Sequence, residues 1–246
     1  MVFDGKWITR KGTFTDDNRD YCAVALRSSG ALYCVVDGST QAFQSGELAE
    51  IFVKELADRF VAQPAIDNVE DIKYLLRELS ESLKTSYPAS RLSFLILLDL
   101  GGGSVTALYA GDCRLGRIAR DGVITWLTRA HTLANAIEEI EDEVLSRHDG
   151  RYTLTRNFSP GKLCYMETGW FSLMADDCLV MSTDGYWAGL DDKQKLEFIT
   201  KRFMPSCRER DDISCLVLVC SLSDGAGVIV SENSENLYIA EICGSG

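Results

Sequence analysis

A run of five apolar residues that ends in an acid and a glycine constrains this chain more than any other stretch. Leu32-Tyr33-Cys34-Val35-Val36 leads directly into Asp37-Gly38. A short, β-branched run that stops at a glycine predicts a buried strand. Asp37 should therefore stand at the edge of a core, on a rigid element, and Gly38 would let the backbone approach a ligand closely. Taken alone, Asp-Gly after a strand is more often a plain turn.

The same pattern recurs at three further places in the chain. Asp184 follows a second apolar run, Asp112 follows a third, and Asp211 and Asp212 precede a fourth. Four strand ends that carry carboxylates are difficult to explain as four turns. Carboxylate oxygens without Cys or His among them suit hard divalent cations, so the pattern favours Mg²⁺ or Mn²⁺.

Composition limits the classes of partner. The chain has 246 residues, 46% of them hydrophobic, and a net charge of −12, which argues against binding nucleic acid or an anionic membrane. No apolar run is long enough to predict a transmembrane helix, and the first residues do not resemble a signal peptide.

Nine Cys without a Cys-x-x-Cys pair favour a reducing compartment. We expect a cytoplasmic monomer; a redox role for Cys113 is the less favoured alternative.

The order of elements predicts an α+β fold, in which helices cover antiparallel sheets. We expect one main domain over residues 1–221 and a C-terminal appendage of uncertain order over residues 222–246. The predicted elements are strands within 6–37, helices over 48–60 and 69–83 with the N-cap of the second at Asp67-Asn68, hairpins around 101–103 and 120–122, an acidic helix over 133–146, a strand ending at Asp184 and a helix over 191–203.

With these motifs in view, the sequence resembles the metal-dependent protein phosphatases of the PPM, or type 2C, family. Seven short motifs match in order along about residues 9–220, and together they are far more specific than any one of them. They are Asn18-Arg19-Asp20, Val35-Val36-Asp37-Gly38, Gly46-Glu47-Leu48-Ala49, Ala110-Gly111-Asp112-Cys113-Arg114, Leu127-Thr128 with His131, Met181-Ser182-Thr183-Asp184-Gly185, and Asp211-Asp212-Ile213-Ser214. The resemblance implies a four-layer α-β-β-α sandwich of two antiparallel sheets, with a metal site at one edge.

The resemblance also implies roles for individual residues. Asp37 would bridge two metal ions, Mn²⁺ or Mg²⁺, and the Gly38 carbonyl would bind one of them. Asp184 and Asp211 would bind the other, and Asp112 matches a position that some members use for a third, weaker metal. Asp20 would be a catalytic residue beside Asp37 and would orient the attacking water.

The sequence departs from the family at the phosphate-binding position. Many members have an arginine three residues before the asparagine, where this chain has Thr15. Arg19, or another nearby arginine such as Arg10 or Arg114, could supply the missing charge. His131 is expected to be structural, and residues 147–170 correspond to the flap that varies among family members.

Two functions follow as expectations. The first is a protein serine/threonine phosphatase that acts on phosphoproteins through a metal-activated water. The second is a phosphatase-like binding or regulatory module with weak or no catalysis. All the predicted metal carboxylates are present, and this favours the enzyme.

Overall fold

Two six-stranded β-sheets form the centre of the computed structural model, which describes residues 2–200, 210–221, 229–231 and 235–241. The strand order is β11-β1-β10-β9-β6-β7 in the first sheet and β12-β2-β3-β4-β5-β8 in the second. The strands are β1 (Val2–Arg10), β2 (Asp20–Arg27), β3 (Gly30–Gly38), β4 (Leu92–Asp99), β5 (Ser104–Ala110), β6 (Arg114–Ile118), β7 (Ile124–Trp126), β8 (Glu167–Ser172), β9 (Cys178–Ser182), β10 (Ile213–Ser221), β11 (Ile229–Ser231) and β12 (Leu237–Glu241). Neighbouring strands are antiparallel, except that β11 joins β1 and β12 joins β2 in parallel.

Helices cover the outer faces of both sheets. They are α1 (Ser45–Ala62), α2 (Val69–Leu83), α3 (Asp142–Arg147), α4 (Asp184–Trp187) and α5 (Asp192–Ile199), with a 3₁₀ turn over Asp149–Tyr152. Within the described residues, no helix combines the length and apolar character that a membrane crossing requires.

Strand β3 shows how the sequence builds these layers. Leu32, Cys34 and Val36 pack in the core beneath α1 and α2, while Tyr33 and Val35 pack in the core between the two sheets. A strand that is buried on both faces has an apolar residue at every position, and this explains the uninterrupted apolar run. A third core lies on the outer face of the first sheet, beneath α4 and α5. The predicted four-layer α+β sandwich is confirmed.

The helix predictions in the first half of the chain are confirmed. Asn68 caps α2, because its side-chain oxygen accepts hydrogen bonds from the backbone N–H groups of Glu70 and Asp71 at 2.8 and 3.2 Å. The predicted hairpins around residues 101–103 and 120–122 are present as β4–β5 and β6–β7.

The prediction of an acidic helix over residues 133–146 is wrong for most of its length. Only Asp142–Arg147 is helical. The Asn135 side chain donates to the Ala130 carbonyl and accepts from the Ile140 N–H, so it stabilises turns instead. Ile137 is 99% exposed, and a helix here would therefore have had few apolar contacts to stabilise it.

Two further predictions concern the helix over 191–203 and the C-terminal segment 222–246. The predicted helix over 191–203 begins at Asp192 behind a capping box formed by Asp191 and Gln194, and it is helical to Ile199; residues 201–209 lie outside the described part. Within the segment 222–246, the described parts supply β11 to one sheet and β12 to the other. The remainder of that segment lies outside the described residues.

Candidate metal and phosphate site

The second sheet places two acids directly opposite each other. Asp20 begins β2 and Asp37 lies near the end of β3, and the two are paired across the antiparallel ladder. Like charges at paired positions repel and destabilise a sheet. Such a pair is therefore costly unless a cation or a proton compensates it.

Asp112 joins this edge through the turn after β5. The turn needs Gly111, which has a φ of 106° and whose added Cβ would lie 2.2 Å from the Ser93 hydroxyl. Ser93 is the neighbour of Asp37 on β4, and its hydroxyl donates to Asp112 Oδ1 at 2.7 Å. The close approach of this turn thus brings Asp112 toward the end of β3.

The first sheet contributes Asp184 and Asp211 to the same edge. Asp184 is the first residue of α4, just beyond β9, and Asp211 lies just before β10. Gly185 allows these two chain segments to pack, because an added Cβ would lie 1.9 Å from the Asp212 carbonyl oxygen. The Thr183 hydroxyl donates to Asp20 Oδ2 at 2.8 Å and so joins the two sheets at this end.

The four acids line one cavity of about 510 Å³. Asp37, Asp112, Asp184 and Asp211 all reach its surface, beside the loop 39–43 and residues 152–154. The predicted site residues from both sheets are therefore brought together. Asp20 lies behind them, 1% exposed.

The negative charge of this cluster is only partly compensated among the described residues, where Arg151 bonds to one oxygen of Asp184. Burial, followed by the charge of Asp184, raises the pKa of Asp112 to about 7. The same two causes, with Asp212 in addition, raise the pKa of Asp211 to about 8. The pKa of Asp37 is raised by burial and by the charges of Asp20 and Asp184, among others.

This donor set fits hard divalent cations. Oxygen ligands at a concentration of negative charge are what Mg²⁺ and Mn²⁺ require. Within the described residues, no three Asp, Glu, His or Cys side chains are already arranged so as to hold an ion. One oxygen of Asp184 is instead bonded to an arginine, Arg151.

Gly38 and Asp212 organise the backbone around the acids. The Gly38 N–H donates to the Arg19 carbonyl at 3.0 Å, and a Cβ at Gly38 would lie 2.5 Å from the Ser45 carbonyl oxygen. The Asp212 carboxylate accepts from the Gly12 and Arg19 N–H groups, both at 2.7 Å. Asp212 therefore holds the loop that precedes β2 and is distinct in role from the cavity acids.

The arginines predicted for phosphate binding lie outside the cavity wall. Arg19 donates to Asp17 at 3.0 Å and to the Ser39 carbonyl at 3.0 Å, beside the cavity. Arg114 is buried between Trp126 and Trp187, and it bonds to Asp142. Neither residue is among those that line the cavity, and nor is Arg10.

Two arginines that the sequence did not single out lie closer to the acids. Arg151, in the 3₁₀ turn, donates from Nη1 to Asp184 Oδ2 at 2.9 Å. Arg91 is exposed and lines the cavity rim. The signal for Arg151 was only that it lies within the variable segment 147–170, since no periodicity or motif marks the residue itself.

His131 supports the site from outside. It accepts from the Gly111 N–H at Nδ1, and its Nε2 lies 3.1 Å from Glu167, which also accepts from Tyr109 and Arg129. This network fits the structural role predicted for His131. Cys113 is 1% exposed, and burial raises the pKa of its thiol, which argues against the redox alternative.

Comparison with solved structures identifies the fold. The serine/threonine phosphatase Stp1 from Staphylococcus aureus superposes with a TM-score of 0.75 at 16% identity, covering 90% of this chain and 96% of that one. PstP/Ppp from Mycobacterium tuberculosis gives 0.69 at 18% identity, covering 90% and 100%. The PPM Ser-Thr phosphatase MsPP from Mycobacterium smegmatis, solved with cacodylate, gives 0.68 at 22%, covering 89% and 99%.

No protein-family model matches the sequence, and no curated protein matches it as a relative. The chain nevertheless has the fold of PPM-type serine/threonine phosphatases. The resemblance that the seven motifs indicated is thus confirmed by the architecture.

Proposed function

We propose that this protein is a metal-dependent protein serine/threonine phosphatase. One observation carries the proposal: carboxylates from the ends of strands in both sheets meet in a single cavity, on the fold of known phosphatases. A purely structural role would not favour four acids at one site, because burial, followed by repulsion between the acids, raises the pKa values of Asp112 and Asp211.

We assign metal-binding and water-orienting roles to the acids of the cavity. Asp37 would bridge two Mn²⁺ or Mg²⁺ ions, with the Gly38 carbonyl beside it and with Asp184 and Asp211 on the other ion. Asp112 would serve a third ion. Bound metal supplies a lowered pKa for water and charge compensation for the phosphate. Asp20, fixed by the Thr183 hydroxyl, would accept a hydrogen bond from the attacking water and orient it.

The substrate class follows from the cavity and the neighbours. An open acidic cavity of about 510 Å³ is large enough for a phosphorylated side chain. The neighbour MsPP was solved with cacodylate, a tetrahedral oxyanion like phosphate. We propose phosphoserine and phosphothreonine in proteins as substrates, with no nucleic-acid or membrane partner, and a cytoplasmic monomer. Arg19 stays a prediction for phosphate binding.

A binding or regulatory module with weak catalysis is the second candidate. It is favoured by Thr15, which stands where many family members have the phosphate-binding arginine. Against it stands the complete acid set, since loss of catalysis would relax the selection for a repulsive cluster that destabilises the fold.

Hydrolysis of an aryl phosphate and of a phosphoserine peptide tests the two candidates. The protein is stripped with EDTA and assayed before and after addition of Mn²⁺ or Mg²⁺. The enzyme should be inactive without metal and active with it. Full activity after exhaustive EDTA treatment would contradict metal dependence, and no activity under any metal would favour the binding module.

A further inference from the structure

Arg151 bonds to one of the cavity acids, although it is not itself among the residues that line the cavity. It is 9% exposed, and its Nη1 donates to Asp184 Oδ2 at 2.9 Å. Asp184 lines the cavity, and so do the next two residues after Arg151, Tyr152 and Thr153. Among the ion pairs within the described part of the chain, this is the one that reaches a cavity acid.

Most hydrogen-bond donors of Arg151 have no acceptor among the described residues. Its contact with Asp184 is made by one nitrogen, and Nη2 makes a longer contact of 3.3 Å with the Tyr152 hydroxyl. Nε is buried and has no hydrogen-bond partner in the described part of the chain. A guanidinium has five N–H donors in a planar fork that matches two phosphate oxygens. Donors therefore remain for a second anion.

The guanidinium is also held in place before any ligand binds. It stacks on the Tyr152 ring at 4.2 Å from the ring centroid. The turn that carries it is closed by a hydrogen bond from the Arg151 N–H to the His148 carbonyl at 3.0 Å, and a bridge between Thr132 and Leu154 fixes the chain that follows. An arginine that is already ordered loses less conformational entropy when it binds an anion.

We propose that Arg151 binds the phosphate group of the substrate and replaces the arginine that this chain lacks at position 15. The inference rests on the proposed function, because it assigns a ligand to the same cavity. The alternative is that Arg151 only orients Asp184 and anchors the segment 147–170. Only a direct contact makes phosphate affinity depend on the shape of the guanidinium.

Calorimetric titration of inorganic phosphate into the Mn²⁺-saturated protein distinguishes these roles without measuring turnover. R151Q should weaken phosphate binding by about tenfold or more, the usual effect of losing a charged hydrogen bond. R151K should recover only part of the affinity, because an ammonium lacks the fork. R147Q is the matched control: Arg147 lies on the same segment, is exposed and pairs with Glu143, and its loss should leave phosphate affinity unchanged.

Three results would overturn the inference. Phosphate affinity could be the same in R151Q as in the wild type. It could fall in R91Q and not in R151Q, which would assign the contact to the rim. Or R151Q could lose Mn²⁺ binding in a direct metal titration, which would show that Arg151 acts through Asp184. If R151Q fails to fold, R151K decides, and wild-type affinity in R151K would reject the contact through the guanidinium fork on which the inference is argued.

The failure of this inference is distinguishable from failure of the proposed function. If the wild type hydrolyses the phosphoserine peptide while R151Q keeps the wild-type KM and phosphate affinity, the phosphatase function is supported and phosphate binding by Arg151 is rejected. If phosphate binding depends on Arg151 but no phosphate ester is hydrolysed with any metal, phosphate binding by Arg151 is supported and the phosphatase function is rejected.

Discussion

Replacing Asp37 by asparagine should stabilise the metal-free protein. Asp37 lies opposite Asp20 across paired strands and shares its cavity with three other acids. Burial, followed by the charges of these neighbours, raises the pKa of Asp37. Asparagine has nearly the same shape and no charge, so D37N removes the repulsion while it leaves the packing of β3 intact.

The pKa of Asp112 indicates the size of the effect. Burial first, and then the charge of Asp184, raise this pKa from 3.8 to about 7. A rise of about 3 units corresponds to about 4 kcal/mol for one carboxyl group at neutral pH. Burying an amide also has a free-energy cost. We therefore expect D37N to raise the free energy of unfolding by about half of that amount, about 2 kcal/mol. For a protein of this size that is about 4–8 °C in Tm.

The pH dependence has a definite sign. A carboxyl whose pKa is raised by folding binds its proton more tightly in the folded state, so the metal-free wild type should gain stability as the pH falls through the raised values of about 8 and about 7 toward 3.8. Because burial and the neighbouring charges also raise the pKa of Asp37, the advantage of D37N should be larger at alkaline pH and should shrink as the pH falls toward 3.8.

Thermal unfolding followed by circular dichroism in EDTA measures this difference. D16N is the matched control, because Asp16 is exposed and its substitution removes the same charge away from the cavity. Added Mn²⁺ should raise the Tm of the wild type and of D16N, since a ligand that binds only the folded state stabilises it, and it should leave D37N nearly unchanged. A Tm for D37N in EDTA no higher than that of D16N would refute the repulsion on which the metal site is argued.

Three further predictions concern residues around the cavity. R19A should raise KM for a phosphorylated substrate more than it lowers kcat if Arg19 binds phosphate, and an unchanged KM in steady-state kinetics would place Arg19 outside the phosphate site. G185A should destabilise the protein by about 1–3 kcal/mol in urea unfolding, because the new methyl would overlap the Asp212 carbonyl; wild-type stability would show that the packing there can relax. Burial would raise the pKa of Glu167, but hydrogen bonds from His131, Tyr109 and Arg129 prevail and lower it from 4.5 to about 2. E167Q should therefore reduce Tm at neutral pH, and its deficit should disappear as the pH falls from about 4.5 toward 2, the range in which the wild-type carboxylate is protonated; a deficit independent of pH would mean that the charge of Glu167 is not involved.

The sequence predicts the strands that end in acids because both requirements are local. A strand that is buried on both faces needs an unbroken apolar run, and an acid at its end marks the edge of the core, as at Asp37 and Asp184. The meeting of these two acids in one cavity is a different matter, because they belong to different sheets. Periodicity alone does not show which strand ends meet, and only the ordered resemblance of the seven motifs predicted it.

The errors have physical causes that lie outside local sequence. Residues 133–146 carry enough helix-forming residues to predict a helix, but side-chain hydrogen bonds from Asn135 compete with it and Ile137 has no core to face. The contact between Arg151 and Asp184 joins positions 33 residues apart through a short 3₁₀ turn. Such a contact depends on how the segment 147–170 folds over the cavity, and no apolar pattern in that segment predicts it.

The most direct test is the initial rate of phosphate release from a phosphoserine peptide as Mn²⁺ is added back to the stripped protein. We expect no release in EDTA, a saturable rise with Mn²⁺ in the wild type and in D16N, and no rise in folded D37N, because Asp37 would bridge the ions. A normal Mn²⁺-dependent rate in D37N would contradict the assignment of the four-acid cavity as the catalytic centre.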